Sequence, residues 1–372
     1  MKRTISLKLA PTDEQAQALT ALQAAFADAC NHIVPSVVTH RCWNRVALHH
    51  RAYYPIRASS PLGSQMVCNA IKAVCDAYRA LRLKRTASVP VITFRATGSI
   101  HYDQRTYRLT PSMLSLYTLT GRIHCTVKPG AFQVSYLANG VPKEAELMHR
   151  RKQWFFNVVL DLPDPQPLHP SGSVLGVDVG ENVVASTSMG TLFGGGQLRH
   201  TRDCYLALRR RLQSNGSQSA RQRLHALSGR ETRHVCQINH EISKAIVQEA
   251  LAIGARAIVM ETLTHIRRRI RARKRERTRL HRWAWAELQR FIEYKAQGAG
   301  LTVQYVNPAY TSQTCSCCGA RGRRVTHRFA CPSCGILAHS DVNSSRNLVR
   351  IASSAEGATG AVTRPHVAGQ SA

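Results

Sequence analysis

The chain has 372 residues, of which 44% are hydrophobic, so it is long enough for two or three globular domains with buried cores. Its 51 lysines and arginines outnumber 21 aspartates and glutamates, which gives a formal net charge of +30. A basic excess of this size predicts a polyanionic partner, usually nucleic acid. No segment reaches the roughly 18 continuous apolar residues of a membrane helix, and the first residues do not resemble a signal peptide, so we expect a cytoplasmic protein.

The N-terminal part predicts one strand followed by helices. Residues 4–9 alternate in polarity, and Thr12 with Gln15 has the spacing of a capping box at a helix start. A second helix is predicted over residues 65–85. Its end carries a basic patch that we interpret as a phosphate contact, although a solvated helix face is the alternative. The patch consists of Arg79, Arg82, Lys84 and Arg85.

The period changes to two between residues 88 and 162, which predicts strands. They cover residues 89–94, 100–107, 123–127, 132–137 and 154–160. With the first strand they suffice for a small β-barrel over residues 1–162, with a helical insertion at about 11–87. Barrels of this size commonly bind oligonucleotides. The proline-rich residues that follow predict a stiff linker over 163–173.

The C-terminal half opens with an apolar strand that contains Asp178, and residues 183–188 form a second strand after a hairpin turn. A carboxylate inside such a strand lowers the stability of the fold by roughly several kcal/mol unless it is paired or bound to a cation. A long helical region is predicted over residues 202–251, and the next strand, 255–261, ends at Glu261. A solvated turn residue is the alternative role for Glu261.

Two Cys-x-x-Cys pairs, each followed by a glycine, lie near the C-terminus. Cys315 and Cys318 form the first pair, and Cys331 and Cys334 form the second. Four thiolates at this spacing predict one tetrahedral structural zinc ion, and the alternative of two disulfides does not suit a chain without a secretory signal. Cys317 lies inside the first pair and is interpreted as a spare thiol.

Asp341 follows the last cysteine by seven residues and suits the start of a helix, where capping is its simplest role. Its distance from Glu261 is 80 residues, and 83 residues separate Glu261 from Asp178. Each gap can hold a helix and strands, so the three acids could converge at one edge of an RNase H-like α/β sheet. Two magnesium ions held by these carboxylates would hydrolyse a phosphodiester, which predicts a nuclease.

A strongly basic segment follows Glu261 directly, with ten lysines and arginines among residues 267–282. Such runs are often solvated tails, but this one precedes a predicted helix over 283–297, so we interpret it as a cationic lid along a nucleic-acid duplex. Trp283 and Trp285 could stack on bases, with packing in the core as the alternative. The candidate contacts are Arg267, Arg268, Arg269, Arg271, Arg273, Lys274 and Arg275.

The motifs around the three acids and the cysteines resemble the RuvC segments and zinc ribbon of the TnpB (OrfB-type) transposon-associated nucleases. The motifs are GVDVG, METL, and TSQTCSCCG through CPSCG to DVNSSRNL, and the resemblance extends from Met1 to about Ile351. It implies magnesium-dependent cleavage of double-stranded DNA next to a transposon-adjacent motif, guided by an RNA from the transposon end. It also implies that Asp178, Glu261 and Asp341 bind the catalytic magnesium.

The resemblance implies a wedge-like barrel over residues 1–162, and a RuvC-like nuclease domain over 174–310 that resumes at 339–351. A zinc ribbon occupies 311–338, and a disordered tail is expected over 352–372. The chain departs from the family pattern at Ser340, where an arginine is common, and at Ser344 and Ser345, where alanines are common. Neither departure removes a metal ligand, so we expect an active enzyme, with a partner transposase encoded nearby to move the element.

Two alternatives stay open at the level of the sequence. A miniature type V CRISPR effector has the same chemistry with another guide source, and an RNA-guided repressor would bind DNA without cutting it. The adjacent motif, the guide length, the cut pattern and the oligomeric state are left open. The host is expected to be prokaryotic, with the protein at the nucleoid when it is bound to DNA.

Overall fold

The computed structural model describes residues 1–84, 86–166, 171–180, 182–263, 285–307 and 310–356, with side chains to residue 354. The chain divides into two compact units, Met1–Asp164 and Pro165–Ala372. The division falls within the predicted linker. In the described part of the chain, no helix is both long and apolar enough to cross a membrane.

Three helices follow the first strand of the first unit: α1 (Asp13–His40), α2 (Arg45–Ser59) and α3 (Ser64–Ala80). The capping box predicted at Thr12 and Gln15 is confirmed, since each residue's side chain accepts a hydrogen bond from the backbone N–H of the other. Helix α3 ends five residues before the predicted limit, because the chain leaves helical geometry at Arg82, whose φ is 48°.

Two antiparallel sheets complete the first unit. The larger one has the strand order β1 (Lys2–Leu9), β7 (Gln153–Asp161), β6 (Val141–Arg150) and β2 (Ile100–Tyr102). The smaller one has the order β3 (Tyr107–Leu109), β4 (Met113–Thr118) and β5 (Gly121–Thr126). Alternate residues of β1 and β7 face one hydrophobic core, which the helices share.

Two of the predicted strands are wrong. Residues 132–137 lie in a helix, α4 (Ala131–Asn139), which satisfies its backbone groups internally and packs on β1 instead of pairing with it. Residues 89–94 form no strand, and side chains hold their backbone instead. The Tyr78 hydroxyl donates to the carbonyl of Pro90 and accepts from the N–H of Ile92, and the Asn31 amide bonds both the N–H and the carbonyl of Phe94.

The second unit is built on a mixed five-stranded sheet with the order β10 (Leu192–Gly194), β9 (Val183–Thr187), β8 (Ser173–Val179), β11 (Ala255–Glu261) and β12 (Thr302–Val306). Strands β8, β11 and β12 are parallel to one another. At one side of the sheet, β9 runs antiparallel to β8, and β10 runs antiparallel to β9. The near-continuous apolar sequences of β8 and β11 suit strands that are covered on both faces.

Helices cover both faces of this sheet. The predicted single helical region is two helices, α5 (Gly196–Asn215) and α6 (Gln218–Ala252), because Gly216 adopts a left-handed conformation with φ 66°. Helix α6 and helix α7 (Trp285–Gly298) share one core with the sheet, and helix α8 (Ser340–Glu356) packs with Val259 and Val306 in another.

Three short strands precede α8: β13 (Arg323–Val325), β14 (Arg328–Ala330) and β15 (Leu337–His339). Helix α8 continues through residues 352–356, which were expected to belong to a disordered tail. The correction has a packing reason, since Ala352 is buried with Leu348 against the sheet. Residues 357–372 of the expected tail lie outside the described residues.

Gly176 in β8 lets α8 approach the sheet closely. A methyl group at this position would collide with the carbonyl oxygen of Ser345 and would lie 2.8 Å from Val349 Cγ2. Ser344 and Ser345 are buried here, and their hydroxyls donate to carbonyls of the preceding turn, so the two serines fit the helix face without unpaired hydroxyls.

We expect Gly176→Ala to lower the free energy of unfolding of the second unit by about 1–3 kcal/mol, because the backbone of α8 must move away from the sheet. Urea denaturation of the purified chain measures this. Gly194→Ala is the matched control in the same sheet, since a methyl group there meets no atom within 4 Å. Equal stability of the two variants would contradict the close packing.

Candidate functional site

Asp178 and Glu261 lie side by side at the carboxyl ends of two parallel strands. Val177 of β8 is in register with Met260 of β11, so the next residue of each strand is one of these acids. Asp178 is also in register with Ser186 of β9. The carboxyl ends of parallel strands are the usual place for functional side chains in open α/β sheets.

Asp341 reaches the same edge from helix α8, where it lies in the first turn. The Ser186 hydroxyl donates a 2.9 Å hydrogen bond to the backbone carbonyl of Asp341. Because Ser186 is the register partner of Asp178, this bond joins the third acid to the strand pair that carries the first. The structure thus brings together the three predicted acids, which we call the acidic cluster.

The carboxylates of the acidic cluster affect one another electrostatically. The pKa of Asp178 is raised well above its ordinary value, first by burial and then by the negative charges of Glu261 and Asp341. Burial also raises the pKa of Glu261 to about 7. Carboxyl groups that resist ionisation near neutral pH are typical of sites that bind a cation or catalyse a reaction.

Arg324 is a member of this site that the sequence did not single out. Its guanidinium lies 3.1 Å from Asp341 Oδ1, and its positive charge opposes the rise in the pKa of Asp178. The Ser340 hydroxyl lies 3.3 Å from the same carboxylate oxygen. Arg324 is one of several arginines between the cysteine pairs, and it belongs to β13. Only the folding of the hairpin formed by β13 and β14 distinguishes it from its neighbours.

The four cysteines form a second cluster in the same unit. Their sulfur atoms all lie within 4.8 Å of one another, and no other group of three or more His, Cys, Asp or Glu in the described ranges is that tight. Cys315 is 3.6 Å from Cys334 and Cys318 is 3.5 Å from Cys331, far beyond a disulfide bond of about 2 Å. Cys317 is exposed and lies outside this cysteine cluster.

The two cysteine pairs have the same turn geometry. Gly319 and Gly335 have φ values of 79° and 71°, and each donates its N–H to the carbonyl of the first cysteine of its pair at 3.0 Å. This left-handed conformation is the reason for the glycines. Backbone N–H groups of Cys334 and Ser333 lower the pKa of Cys331 to about 6, which favours the thiolate that metals bind.

The structure describes only some of the residues that are predicted to contact nucleic acid. Arg79 is exposed and pairs with Asp76 at 3.0 Å, and Arg82 and Lys84 follow the end of α3 in the first unit. Arg85, Trp283 and the basic residues 267–282 lie outside the described residues. Trp285 is buried and its indole N–H approaches the carbonyl of Gly180, so it packs in the core.

Residues 285–348, which include the cysteine cluster and Asp341, match the family described as the Cas12f1-like TNB domain. A TnpB-like protein of Methanocaldococcus jannaschii is 41% identical over 128 residues, covering 33% of this chain and 45% of that protein. Cas12f1 of Sulfoacidibacillus thermotolerans, a CRISPR-associated endodeoxyribonuclease, is 30% identical over 247 residues, covering 59% and 54%.

InsQ of Escherichia coli, whose name describes an RNA-guided DNA endonuclease, is 28% identical over 235 residues, covering 59% of this chain and 58% of that protein. The chain therefore spans about half the length of the curated relatives it matches. The resemblance to TnpB-type proteins that the motifs indicated is confirmed.

Solved structures show the same mixed α/β fold. The Cas12f1–sgRNA–target DNA complex superposes with a TM-score of 0.66 at 15% identity, covering 91% of this chain and 83% of that one. CasPhi-2 (Cas12j) bound to crRNA gives a TM-score of 0.59 at 10% identity, covering 95% and 98%. At such low identity the likeness concerns the fold alone.

The raised pKa values predict how stability depends on pH in the absence of magnesium. Glu261 holds its proton to a higher pH when folded than its ordinary value of 4.5 allows in the unfolded chain. The unfolding free energy should therefore fall as pH rises from about 4.5 to about 7, by up to about 3 kcal/mol from this residue. Urea denaturation at several pH values in this range measures how the unfolding free energy depends on pH. Hydrogen exchange of β8 and β11 at the same pH values is the second measurement.

Glu261→Gln should remove this part of the pH dependence, because a glutamine does not ionise. Glu146→Gln, at an exposed position of the first unit, is the control and should retain the dependence of the unchanged protein. Identical pH profiles for the unchanged protein and Glu261→Gln would contradict the prediction.

Proposed function

We propose that this protein is an RNA-guided, metal-dependent DNA endonuclease of the TnpB type. The observation that carries the proposal is the convergence of Asp178, Glu261 and Asp341 at one edge of the second sheet, next to a four-cysteine cluster. Two relatives that each match 59% of this chain are named as an endodeoxyribonuclease and an RNA-guided DNA endonuclease.

The topology supports a finer assignment of the domains. In the second sheet, an antiparallel hairpin strand pair is extended by two parallel strands, β11 and β12, as in an RNase H-like (RuvC) domain. We propose that residues 311–338 form a zinc ribbon inserted before the last helix of this domain. The two sheets of the first unit form the proposed wedge-like, oligonucleotide-binding barrel, with α1, α2 and α3 inserted.

The cysteine cluster fits structural zinc. Four sulfur atoms within 4.8 Å of one another, with backbone N–H groups that lower the pKa of Cys331, match the tetrahedral sulfur site that zinc prefers. The acidic cluster fits magnesium, a hard cation that oxygen ligands bind, since three carboxylates converge at one edge of the sheet and Asp178 is buried beside the negative charges of the other two.

Magnesium bound by these carboxylates would supply the Lewis acidity that activates water and stabilises the leaving oxygen of a phosphodiester. The residues of the chain fix the geometry. Strands β8 and β11 hold Asp178 and Glu261 on rigid backbone, and helix α8 adds Asp341. The guanidinium of Arg324 is of the type that binds phosphate oxygens, so it is suited to orient the DNA backbone beside Asp341.

The net charge of +30 suits two nucleic-acid partners, a guide RNA and a target DNA duplex. In this class of enzyme, base pairing with the guide selects the target sequence, while the protein binds backbones and a short adjacent motif. The contacts proposed for residues 267–275, Arg79, Arg82, Lys84 and Arg85 are part of this proposal. A single acidic cluster would have to cut both strands in turn, unless a second copy supplies another.

We expect the full chain, purified with RNA expressed from its own flanking locus, to cut plasmid DNA that carries the guide match beside a randomised segment. Asp178→Ala should reduce the rate by about 1,000-fold or more, because the acidic cluster then lacks one ligand. Sequencing of the cut plasmids gives the adjacent motif.

Glu146→Ala, at an exposed position of the first unit, is the control for a lost carboxylate. Guide-dependent binding without cutting by the unchanged protein would favour a repressor over a nuclease. Cutting that Asp178→Ala does not affect would show that the acidic cluster is not the catalytic site.

Zinc binding is expected to depend on the four clustered cysteines and not on their neighbour. Cys315→Ser should lose the zinc ion and lower the melting temperature, because the cysteine cluster then lacks the buried sulfur of Cys315. Cys317→Ser is the control within the same turn and should retain one zinc ion per chain. Mass spectrometry of the metal content decides between them, and loss of zinc from both variants would contradict the assignment.

A further inference from the structure

The backbone around Cys315 is fastened to helix α8 by two buried asparagines. Asn343 accepts a 2.9 Å hydrogen bond from the N–H of Ser316 and donates a 2.7 Å bond to the carbonyl of Thr314. These two residues flank Cys315, so a single side chain holds the chain on both sides of a cysteine of the cluster. Asn343 and Cys315 are both fully buried.

Asn347 makes the second attachment one turn later on the same face of the helix. Its Nδ2 donates to the carbonyls of Thr311 and Thr314, at 2.8 and 2.6 Å, and the residue is 1% exposed. Buried amides of this kind are costly when they lose their partners. The loop before Cys315 and the middle of α8 are therefore held in one arrangement.

The other end of the segment from Thr311 to His339 forms hydrogen bonds with the first residue of the same helix. The N–H of Ser340 donates a 2.8 Å bond to the carbonyl of His327, and the Ser340 hydroxyl bonds the carbonyl of Thr326 at 3.3 Å. Arg324 of the same hairpin holds the carboxylate of Asp341. Thus the segment that carries the cysteines contacts α8 both at Asp341 and two residues beyond it.

We infer that Asn343 and Asn347 are positioning residues that couple metal occupancy of the cysteine cluster to the position of Asp341. A zinc ion bound there would fix the position of Cys315. The hydrogen bonds of Asn343 and Asn347 would then fix α8 relative to the loop at Cys315, and α8 holds Asp341 at the sheet edge. This inference rests on the proposed function of the acidic cluster as a magnesium site. It adds that the two metal sites are linked within one unit.

Thermodynamic linkage makes the coupling reciprocal. If zinc favours the arrangement of Asp341 that binds magnesium, then a divalent cation at the acidic cluster must slow the loss of zinc. Zinc release therefore reports the coupling without any cleavage reaction. It also separates this inference from the proposed function, since failure to cut DNA would leave the zinc measurement unaffected.

The experiment measures zinc release from the full chain to a chromogenic zinc chelator, with and without magnesium, and with calcium as a second oxygen-seeking probe. In the unchanged protein, both cations should slow release. Asp178→Ala should abolish this effect, because the acidic cluster then lacks one of its carboxylates. Release at the same rate with and without the cations in the unchanged protein would overturn the inference.

Asn343→Ala and Asn347→Ala should each speed basal zinc release by about tenfold or more, since each removes two hydrogen bonds, and should abolish the effect of the cations. Asn239→Ala is the matched control, because Asn239 is also buried in this unit but bonds Glu287 on α7. It should retain the release rate and the cation effect of the unchanged protein.

Circular dichroism establishes that each variant is folded before release is measured. If Asn343→Ala does not fold, Asn347→Ala carries the test, because it leaves both bonds of Asn343 in place. Unchanged zinc release and an unchanged cation effect in the folded Asn347→Ala chain would overturn the assignment of Asn347 as a positioning residue. Equal changes in Asn239→Ala would show a general loss of stability and would overturn it as well.

Discussion

The close packing of helix α8 on strand β8 is the contact on which the candidate site depends. Gly176 has no side chain, so the backbone of α8 at Ser345 can lie directly on the sheet, and Leu348 and Ala352 extend the contact to Val259 and Val306. This packing places the first turn of the helix beside the ends of β8 and β9. Asp341 reaches Asp178 only because the helix lies so close to the sheet.

Electrostatic repulsion within the acidic cluster opposes this arrangement. Burial and mutual proximity raise the pKa of Asp178, and burial raises that of Glu261, so the folded chain without a cation holds these groups in an unfavourable environment. Arg324 supplies one compensating charge to Asp341. An unfavourable electrostatic free energy of this kind is expected at a site that binds a cation. Hydrophobic packing elsewhere in the unit compensates for it.

The two clusters differ in how completely the protein arranges them in advance. The cysteines are within bonding reach of a common ion, their turns repeat with left-handed glycines, and backbone N–H groups lower the pKa of Cys331. The carboxylates come from a strand pair and a helix, and they are less tightly grouped. A preformed sulfur site suits a permanent structural ion, whereas a looser oxygen site suits an ion that binds together with substrate.

The sequence by itself determined the features that depend on neighbouring residues. The capping box at Thr12, the glycine turns after Cys318 and Cys334, and the acids carried by apolar strands follow from short-range spacing. The tertiary structure decided what depends on a distant partner. Residues 132–137 alternate like a strand, yet they are helical because a strand needs a pairing edge that the alternation does not supply.

Arg324 and Asn343 show the same division at the site itself. Nothing local separates Arg324 from the other arginines between the cysteine pairs, and its role follows from a hairpin that brings it to Asp341, 17 residues later. In the sequence, Asn343 is an ordinary residue near the start of a helix. Only the folded chain shows that its side-chain amide bonds the backbone of Thr314 and Ser316. Residue types and spacing therefore identified the candidate site residues, while the long-range contacts that hold them in place required the folded chain.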